Sequence, residues 1–292
     1  MTGEHREIRD RSREGGGSEK SAGGSDIDWD REWRLAWKPH VNNGWFRYQD
    51  DVYTSWWRAR VAPPRNAERR PRLLTTDAFA EACGLPALEG VLPSVRRVLM
   101  DVSPLILERA MRVCERGRIV PISCVTDVRC LGFRADVFDL VFSPSTLDHF
   151  SVATEIAMAP VQLRRVLRLG GQLLIALDNP SNPLLRVRQA LYRRTGSLGG
   201  LIPFRMGQTL SRSRLVRALE RAGFDVIESR YLVHTPRIVG LWLGELAART
   251  RRDRLGRELR RLFNALERLF AALPSRRWTG HFVAVDCRRS AP

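Results

Sequence analysis

Acidic residues follow several short apolar runs of this chain, at positions where they could act on a ligand. Asp101 ends the run RRVLMD, and Asp127 follows the run IVPISCV. The pair Asp148 and His149 comes shortly after the run VFDLVFS. If these runs are parallel strands, all four side chains lie beyond the carboxyl ends of the strands, where such sheets bind ligands. At these positions a carboxylate can accept hydrogen bonds from the hydroxyl groups of a ligand, and a histidine can accept a proton near neutral pH.

The apolar runs alternate with helical stretches from about residue 70 onward, which is typical of a parallel sheet covered by helices. The predicted strands cover residues 72–76, 96–101, 119–125, 137–143, 172–179, 225–233 and 280–287. The runs are apolar throughout, as in strands that are buried on both faces. A helix before the fifth strand is expected to break near Pro160 and to end at Gly170–Gly171. The fold class predicted is α/β: a Rossmann-like, doubly wound, mostly parallel seven-stranded sheet with an N-terminal helical cap and helical insertions.

The chain divides into a polar tail, an aromatic helical segment and the sheet domain. The tail is rich in glycine, serine and mixed charge, which is typical of disorder. The segment after it places Trp29, Trp33 and Trp37 at helical spacing, which predicts an apolar helix face. The predicted parts are a disordered tail at 1–25, a helical cap or lid at 26–66 and the sheet domain at 70–292, with insertions at about 181–210 and 236–278.

The last two-fifths of the chain carry most of the net charge of +17. Such a basic surface suits phosphates, acidic glycans or an anionic membrane. However, only Lys20 and Lys38 of the 49 basic residues are lysines, so a general preference for arginine also explains the charge. Leucines and phenylalanines from Leu255 to Leu273 form an apolar stripe with arginines mostly opposite. Core packing or a homodimer interface is the favoured interpretation, and peripheral membrane contact is the alternative.

The composition argues against several classes of protein. Neither lysine follows a glycine, so a phosphate-binding loop of the Gly-Lys type is excluded. No apolar stretch approaches the ~18 residues of a transmembrane helix, and we expect a cytoplasmic protein without one. The five cysteines form no C-x-x-C pair, which predicts neither disulfides nor a metal site. No nucleic-acid-binding module is recognisable, so a nucleic-acid partner is not expected.

Five segments of the chain, VLMDVSPLILERA, CVTDVRCLGF, DVFDLVFSPSTLDHF, QLRRVLRLGGQLLIALDNP and RALERAGFDVIES, follow one another in this order. In this order they resemble the motifs of the class I S-adenosylmethionine-dependent methyltransferases, especially the small-molecule, type 11-like branch. The resemblance covers roughly residues 70–290 apart from the insertions. It implies S-adenosyl-L-methionine as cofactor and methyl transfer to a small-molecule acceptor, anionic or apolar, including a lipid- or glycan-linked one.

The resemblance also implies roles for residues at the strand ends. Asp101, with Val102 beside it, would hold the ribose of the cofactor. Asp127 and Val128 would contact its adenine, and Ser143 of the matching fourth-strand motif is expected beside the cofactor.

The loop after the first strand departs from the family's Gly-x-Gly-x-Gly pattern, since Thr75, Thr76 and Asp77 stand there. In one interpretation, free N–H groups at the next helix bind the cofactor carboxylate and the threonine hydroxyls add hydrogen bonds. Asp77 would then cap the helix or meet the cofactor's ammonium group. In the other interpretation, these side chains fill the glycine space and the domain is a catalytically inactive scaffold that binds a partner.

An acceptor hydroxyl would need a general base, for which His149 is the candidate, with Asp148 to orient it. A capping or packing role for His149 is the alternative. A nucleic-acid methyltransferase that uses the basic C-terminal part is a further alternative function.

Overall fold

The computed structural model describes residues 28–36, 44–61, 70–85, 95–117, 120–150, 152–195, 207–249 and 253–291. The predicted tail at 1–25 lies outside these ranges, as does Trp37 of the predicted cap.

The described chain forms one seven-stranded sheet in the order β3-β2-β1-β4-β5-β7-β6. The strands are β1 (Arg72–Thr75), β2 (Arg96–Asp101), β3 (Ile122–Val125), β4 (Phe138–Pro144), β5 (Leu167–Asp178), β6 (Phe224–Leu232) and β7 (Phe282–Arg289). Strands β1 to β5 pair in parallel. Strand β7 runs antiparallel between β5 and β6. The predicted α/β fold with a mostly parallel seven-stranded sheet is therefore confirmed.

Ten helices occur among the described residues. They are α1 (Trp29–Ala36), α2 (Gly44–Arg58), α3 (Phe79–Ala82), α4 (Pro104–Arg116), α5 (Ala153–Val166), α6 (Pro183–Thr195), α7 (Arg212–Arg221), α8 (Arg237–Arg249), α9 (Asp253–Ala272) and α10 (Arg276–Thr279). Helix α4 starts as its sequence predicts, because the Ser103 hydroxyl accepts a hydrogen bond from Ile106 N–H and Pro104 occupies the first turn.

Both faces of the central strands are buried, because neighbouring residues point to opposite sides of a strand. Leu74 belongs to a core cluster with residues of α5 and α7. Leu73 belongs to a second cluster with the aromatic residues of α2. Helix α2 also packs against α8 and α9. The aromatic part of the predicted cap thus forms a layer on one face of the sheet, with Trp45 and Trp57 almost completely buried.

Two predictions about single elements are wrong. Helix α5 continues through Pro160 and ends at Val166, before the glycine pair. Leu167 already pairs with Phe138 of β4, so the sheet draws the chain out of the helix, and Gly170 with φ +70° turns it along β5. Strand β3 is not buried on both faces: it lies at an edge of the described sheet and exposes much of Ile122.

Candidate functional site

The carboxyl ends of β1 and β2 meet at Asp101. Its Oδ2 accepts a hydrogen bond from Ala78 N–H at 3.1 Å, and its Oδ1 accepts one from Ser103 N–H at 2.9 Å. These two amides lie just before α3 and α4, so the carboxylate joins the beginnings of both helices. The apolar side chain of Val102 stands beside it and remains exposed.

A second carboxylate, Asp77, lies close to Asp101. Its Oδ1 accepts a hydrogen bond from the N–H of Phe79, the first residue of α3, at 2.7 Å, whereas the N-cap position of α3 is Ala78 and has no side-chain cap bond. Burial and the negative charge of Asp101 raise the pKa of Asp77 well above its usual range. Burial also raises the pKa of Asp101 to about 6, although its hydrogen bonds from backbone N–H groups act in the opposite direction. Two carboxyl groups therefore share this corner of the sheet at an electrostatic cost.

The threonines of the first loop face β4. Thr75 ends β1 and is buried. The Thr76 hydroxyl lies 2.9 Å from Ser143 Oγ and 2.7 Å from Thr146 Oγ1, while its N–H donates to Phe142 O at 2.9 Å. Ser143, which the family resemblance places beside the cofactor, therefore holds the loop through its hydroxyl group. Hydrogen bonds between hydroxyl groups thus hold this loop on β4, at the positions where the Gly-x-Gly-x-Gly pattern has glycines.

Asp127 and Val128 follow β3. Asp127 is bound by the guanidinium of Arg129, with Nη2 at 2.6 Å and Nε at 3.0 Å from its Oδ2. Arg129 also pairs with Glu155 of α5. Val128 is buried in the core cluster that includes α5. Asp127 Oδ1 also accepts from the backbone N–H of Arg129 at 2.8 Å and from its Nε at 3.0 Å, so both oxygens of the carboxylate are engaged.

Asp148 and His149 lie in a short 3₁₀ turn after β4, which Ser145 leads into with φ +48°. Asp148 is buried, and its Oδ2 accepts a hydrogen bond from Asp178 N–H at 3.0 Å. Its Oδ1 is buried without a hydrogen-bond partner and lies 4.0 Å from His149 Nε2. That separation brings the predicted pair together without a direct hydrogen bond. Burial, together with the charge of Asp178, raises the pKa of Asp148 to about 6.

Helix α1 covers part of this edge of the sheet. Asp30 of α1 accepts a hydrogen bond from the hydroxyl of Ser103. Trp29 packs edge-on against the His149 ring, with ring centroids 5.4 Å apart. His149 nevertheless keeps 30% of its side chain exposed, so the imidazole remains accessible.

Sequence reasoning missed a polar group at the end of β5. Asp178 forms an ion pair with Arg188 of α6 at 2.6 Å, and His281 Nε2 lies 3.5 Å from it. The buried hydroxyl of Tyr53 on α2 lies within electrostatic range of both Asp148 and Asp178. The rule that found Asp101 also finds Asp178, since each ends a parallel strand. No pattern in the sequence connects α2 or α6 with that position.

Among the described residues, no group of three or more His, Cys, Asp or Glu side chains is arranged to hold a metal ion. None of the described helices is long and apolar enough to cross a lipid bilayer.

Comparison with protein families identifies one match. Residues 83–175 match the sequence profile of a family described as a methyltransferase domain. The match begins after β1 and its loop, so it contains Asp101, Asp127 and Asp148 but excludes Thr75, Thr76 and Asp77. No curated protein matches the chain.

Several solved structures share the fold. The [4+2]-cyclase SpnF is 19% identical, with a TM-score of 0.52 over 83% of this chain and 82% of that one. The YcgJ protein of Bacillus subtilis is 16% identical, with a TM-score of 0.53 over 82% and 99%. A putative methyltransferase in complex with the Trm112 activator of Haloferax volcanii is 15% identical, with a TM-score of 0.52 over 86% and 96%. At these identities the likeness concerns the fold alone.

Proposed function

We propose that this chain, whose residues 83–175 match a methyltransferase-domain family, is a class I S-adenosylmethionine-dependent methyltransferase that transfers a methyl group from S-adenosylmethionine to a small-molecule acceptor. The observation that carries the proposal is the meeting of Asp77, Asp101 and the Asp148–His149 pair at one edge of the sheet, beyond the carboxyl ends of β1, β2 and β4. In doubly wound sheets this edge is where nucleotide-like ligands bind.

The chemistry of these side chains fits the cofactor. S-adenosylmethionine brings two cationic groups, a sulfonium and an ammonium. Neither Asp77 nor Asp101 forms an ion pair with any residue that the structure describes, and both carboxyl groups have a raised pKa. A cation beside them would lower the cost of keeping them ionised. The free Oδ1 of Asp148 is a further buried acceptor at this edge.

Each residue at the cofactor side has a proposed role. Asp101 accepts hydrogen bonds from the ribose hydroxyls, and the exposed side chain of Val102 lies against the adenosine. Asp77 attracts the ammonium group. Asp127 would accept from the adenine amino group in competition with Arg129, which already donates to both of its carboxylate oxygens.

Thr75, Val128 and Ser143 support the same site from behind. All three are buried, and Ser143 holds the loop of Thr76 in place through its hydroxyl. The N–H groups of Thr76, Ala78 and Phe79 already donate to Phe142 O, Asp101 and Asp77. The cofactor carboxylate would therefore bind N–H groups of the loop and of α3 other than these three.

The Asp148–His149 pair would act on the acceptor. When bound, the cofactor supplies a methyl carbon activated by the positive sulfur. His149 would take the proton that the acceptor hydroxyl loses when it is methylated. Asp148, 4.0 Å away, stabilises the imidazolium by its charge. The remaining contribution of the protein is alignment of the two reactants and exclusion of water.

Calorimetric titration of the full chain with S-adenosylmethionine tests this proposal. Binding at micromolar concentrations is expected, together with competition by S-adenosylhomocysteine. Adenosine alone should bind more weakly, since it lacks the cationic groups that face Asp77. Absence of binding heat at protein concentrations of about 100 μM, confirmed by equilibrium dialysis, would remove the enzymatic function.

The second candidate is a catalytically inactive scaffold that binds a partner. The fastening of Thr76 to Ser143 and Thr146 favours it, because hydroxyl groups occupy the loop where glycines usually give a cofactor room. The cyclase named above has the same overall fold, and a fold does not dictate one activity. This candidate predicts no cofactor binding and full partner binding after Asp101→Asn.

A further inference from the structure

The polar group at the carboxyl end of β5 is not used by the cofactor side of the site. We call Asp178, Arg188, Arg237 and His281 the β5-end cluster. It adjoins the proposed acceptor position, because Asp178 N–H donates to Asp148 Oδ2 at 3.0 Å. Arg188 and Arg237 come from α6 and α8, which lie outside the residues 83–175 that match the methyltransferase family.

Two arginines and one carboxylate meet in the β5-end cluster. Arg188 lies 2.6 Å from one oxygen of Asp178, and His281 Nε2 lies 3.5 Å from the other. Arg188 repels the charge of Arg237, and Asp178 attracts it. Burial, with that repulsion, lowers the pKa of Arg237 to about 10, and burial lowers the pKa of His281 to about 3. At pH 7 the cluster therefore holds two charged guanidinium groups, one paired carboxylate and a neutral imidazole.

Hydrogen-bonding groups at the cluster are left unused. Arg188 Nε and Thr235 Oγ1 are buried without a hydrogen-bond partner. A buried donor left in this way is unfavourable, so a ligand atom that accepts from it would be stabilising. The Arg188 side chain as a whole keeps 19% exposure.

Aromatic residues fix the position of Arg237. Its guanidinium carbon lies 5.4 Å from the ring centre of Trp45 and 5.8 Å from that of Phe46. Trp45 is held in turn by its indole N–H, which donates to Thr235 O, and by an edge contact with His281. Arginine held by aromatic faces is preorganised for an oxyanion, because its planar fork matches the two oxygens of a carboxylate or phosphate.

We propose that the β5-end cluster binds an oxyanion of the acceptor, a carboxylate or a phosphate, between Arg188 and Arg237. The proposal rests on the proposed methyl-transfer function, since it names the acceptor class of that site. The anion would fix the acceptor so that its nucleophile faces His149. The elements that bring the two arginines belong to the insertions, as expected of residues that select a substrate.

Binding of model anions tests the proposal. The probes are phenyl phosphate, benzoate and dihexanoyl phosphatidate below its micellar concentration, titrated calorimetrically at constant ionic strength against chloride. We expect phenyl phosphate to bind the wild-type chain. We expect Arg188→Gln and Arg237→Gln each to weaken binding about 10- to 100-fold, the loss that follows from one charge-assisted interaction. Arg193→Gln, an exposed arginine on the same helix, should leave binding unchanged.

Comparison of the probes separates a lipid-linked oxyanion from a free one. Tighter binding of the phosphatidate than of phenyl phosphate assigns a lipid-linked oxyanion, and equal binding assigns a free one. If no probe binds at 10 mM, or if Arg193→Gln weakens binding as much as the cluster variants, the inference is wrong.

Cofactor titration of the same variants keeps the two proposals apart. Arg188→Gln and Arg237→Gln should bind S-adenosylmethionine like the wild type. If the wild-type chain binds the cofactor but none of the anion probes, the acceptor inference alone is overturned, whereas absence of cofactor binding overturns the enzymatic function. If Arg188→Gln does not fold, Arg188→Lys keeps the charge and removes the fork, and should lose less affinity than Arg237→Gln.

Discussion

The substitution Asp101→Asn separates the cofactor hypothesis from a purely structural role of this carboxyl group. The amide has the same shape and keeps one oxygen for the N–H of Ala78 or Ser103. It places an NH₂ group against the other N–H and removes the negative charge. We expect this change to leave the free energy of unfolding equal or higher and to lower the affinity for S-adenosylmethionine.

The stability effect follows from the raised pKa. Burial raises the pKa of Asp101 from 3.8 to about 6, which corresponds to roughly 3 kcal/mol against the ionised form at neutral pH. Asparagine removes this cost and loses one amide hydrogen bond, which costs about 1–3 kcal/mol. At pH 7.5 the free energy of unfolding should therefore stay equal or rise by up to about 2 kcal/mol.

The cofactor affinity should fall at the same time. A charge-assisted hydrogen bond to a ribose hydroxyl contributes about 1.5–3 kcal/mol, so the dissociation constant for S-adenosylmethionine should rise about 10- to 150-fold. Urea unfolding and calorimetric titration measure the two quantities on the same sample. Asp225→Asn, an exposed carboxylate on β6, is the matched control and should change neither.

The pH dependence of the affinity for S-adenosylmethionine gives a second test of the Asp101 carboxyl group. A cationic ligand binds the ionised carboxylate, so affinity should decrease as the pH is lowered through about 6. For one proton the decrease is at most tenfold per pH unit, and Asp101→Asn should remove that contribution. Unchanged affinity and an unchanged pH profile in the variant would refute the role of Asp101 in binding.

Three further outcomes are expected. Gly240→Ala should lower the free energy of unfolding by about 1–3 kcal/mol, because the new Cβ would lie 2.0 Å from Trp45 Cδ1. Gly256→Ala in α9, with no atom within 4 Å of the new Cβ, should instead raise it by up to about 1 kcal/mol; equal effects in urea unfolding would contradict the packing of α8 on α2. Thr76→Val should cost about 1–3 kcal/mol in the same assay, since the buried hydroxyl of Ser143 and the half-buried hydroxyl of Thr146 lose a partner, and no loss would show that the loop is held by other means. Burial lowers the pKa of His281 to about 3, so below pH 6.5 the unfolded chain takes up a proton that the folded chain does not. The free energy of unfolding should therefore fall by up to about 1.4 kcal/mol for each unit by which the pH is lowered. His281→Gln should reduce this dependence of the free energy of unfolding on pH.

Local patterns predicted most of the elements. Strand β2 occupies the predicted residues 96–101, and α4 begins at its predicted cap and proline. These signals depend on neighbours in the chain, such as a hydroxyl three residues before an amide. The end of α5 was misplaced because it depends on pairing of Leu167 with Phe138, 29 positions away.

The candidate site could be predicted only as far as strand ends are predictable. Asp101 and Asp148 were found because each follows an apolar run, and parallel strands bring such positions to one edge. Whether Asp127 is accessible could not be predicted, since Arg129 and Glu155 hold it through contacts that depend on side-chain directions.

The sequence by itself determined the alternation of strands and helices, the family resemblance and the carboxylates at the strand ends. These follow from periodicity and spacing along the chain. Only the tertiary structure decided that Thr76 is fastened to β4, and that α6 and α8 bring Arg188 and Arg237 to Asp178. The physical reason is distance: these contacts join residues far apart in sequence, and the charge around each group exists only after the chain has folded.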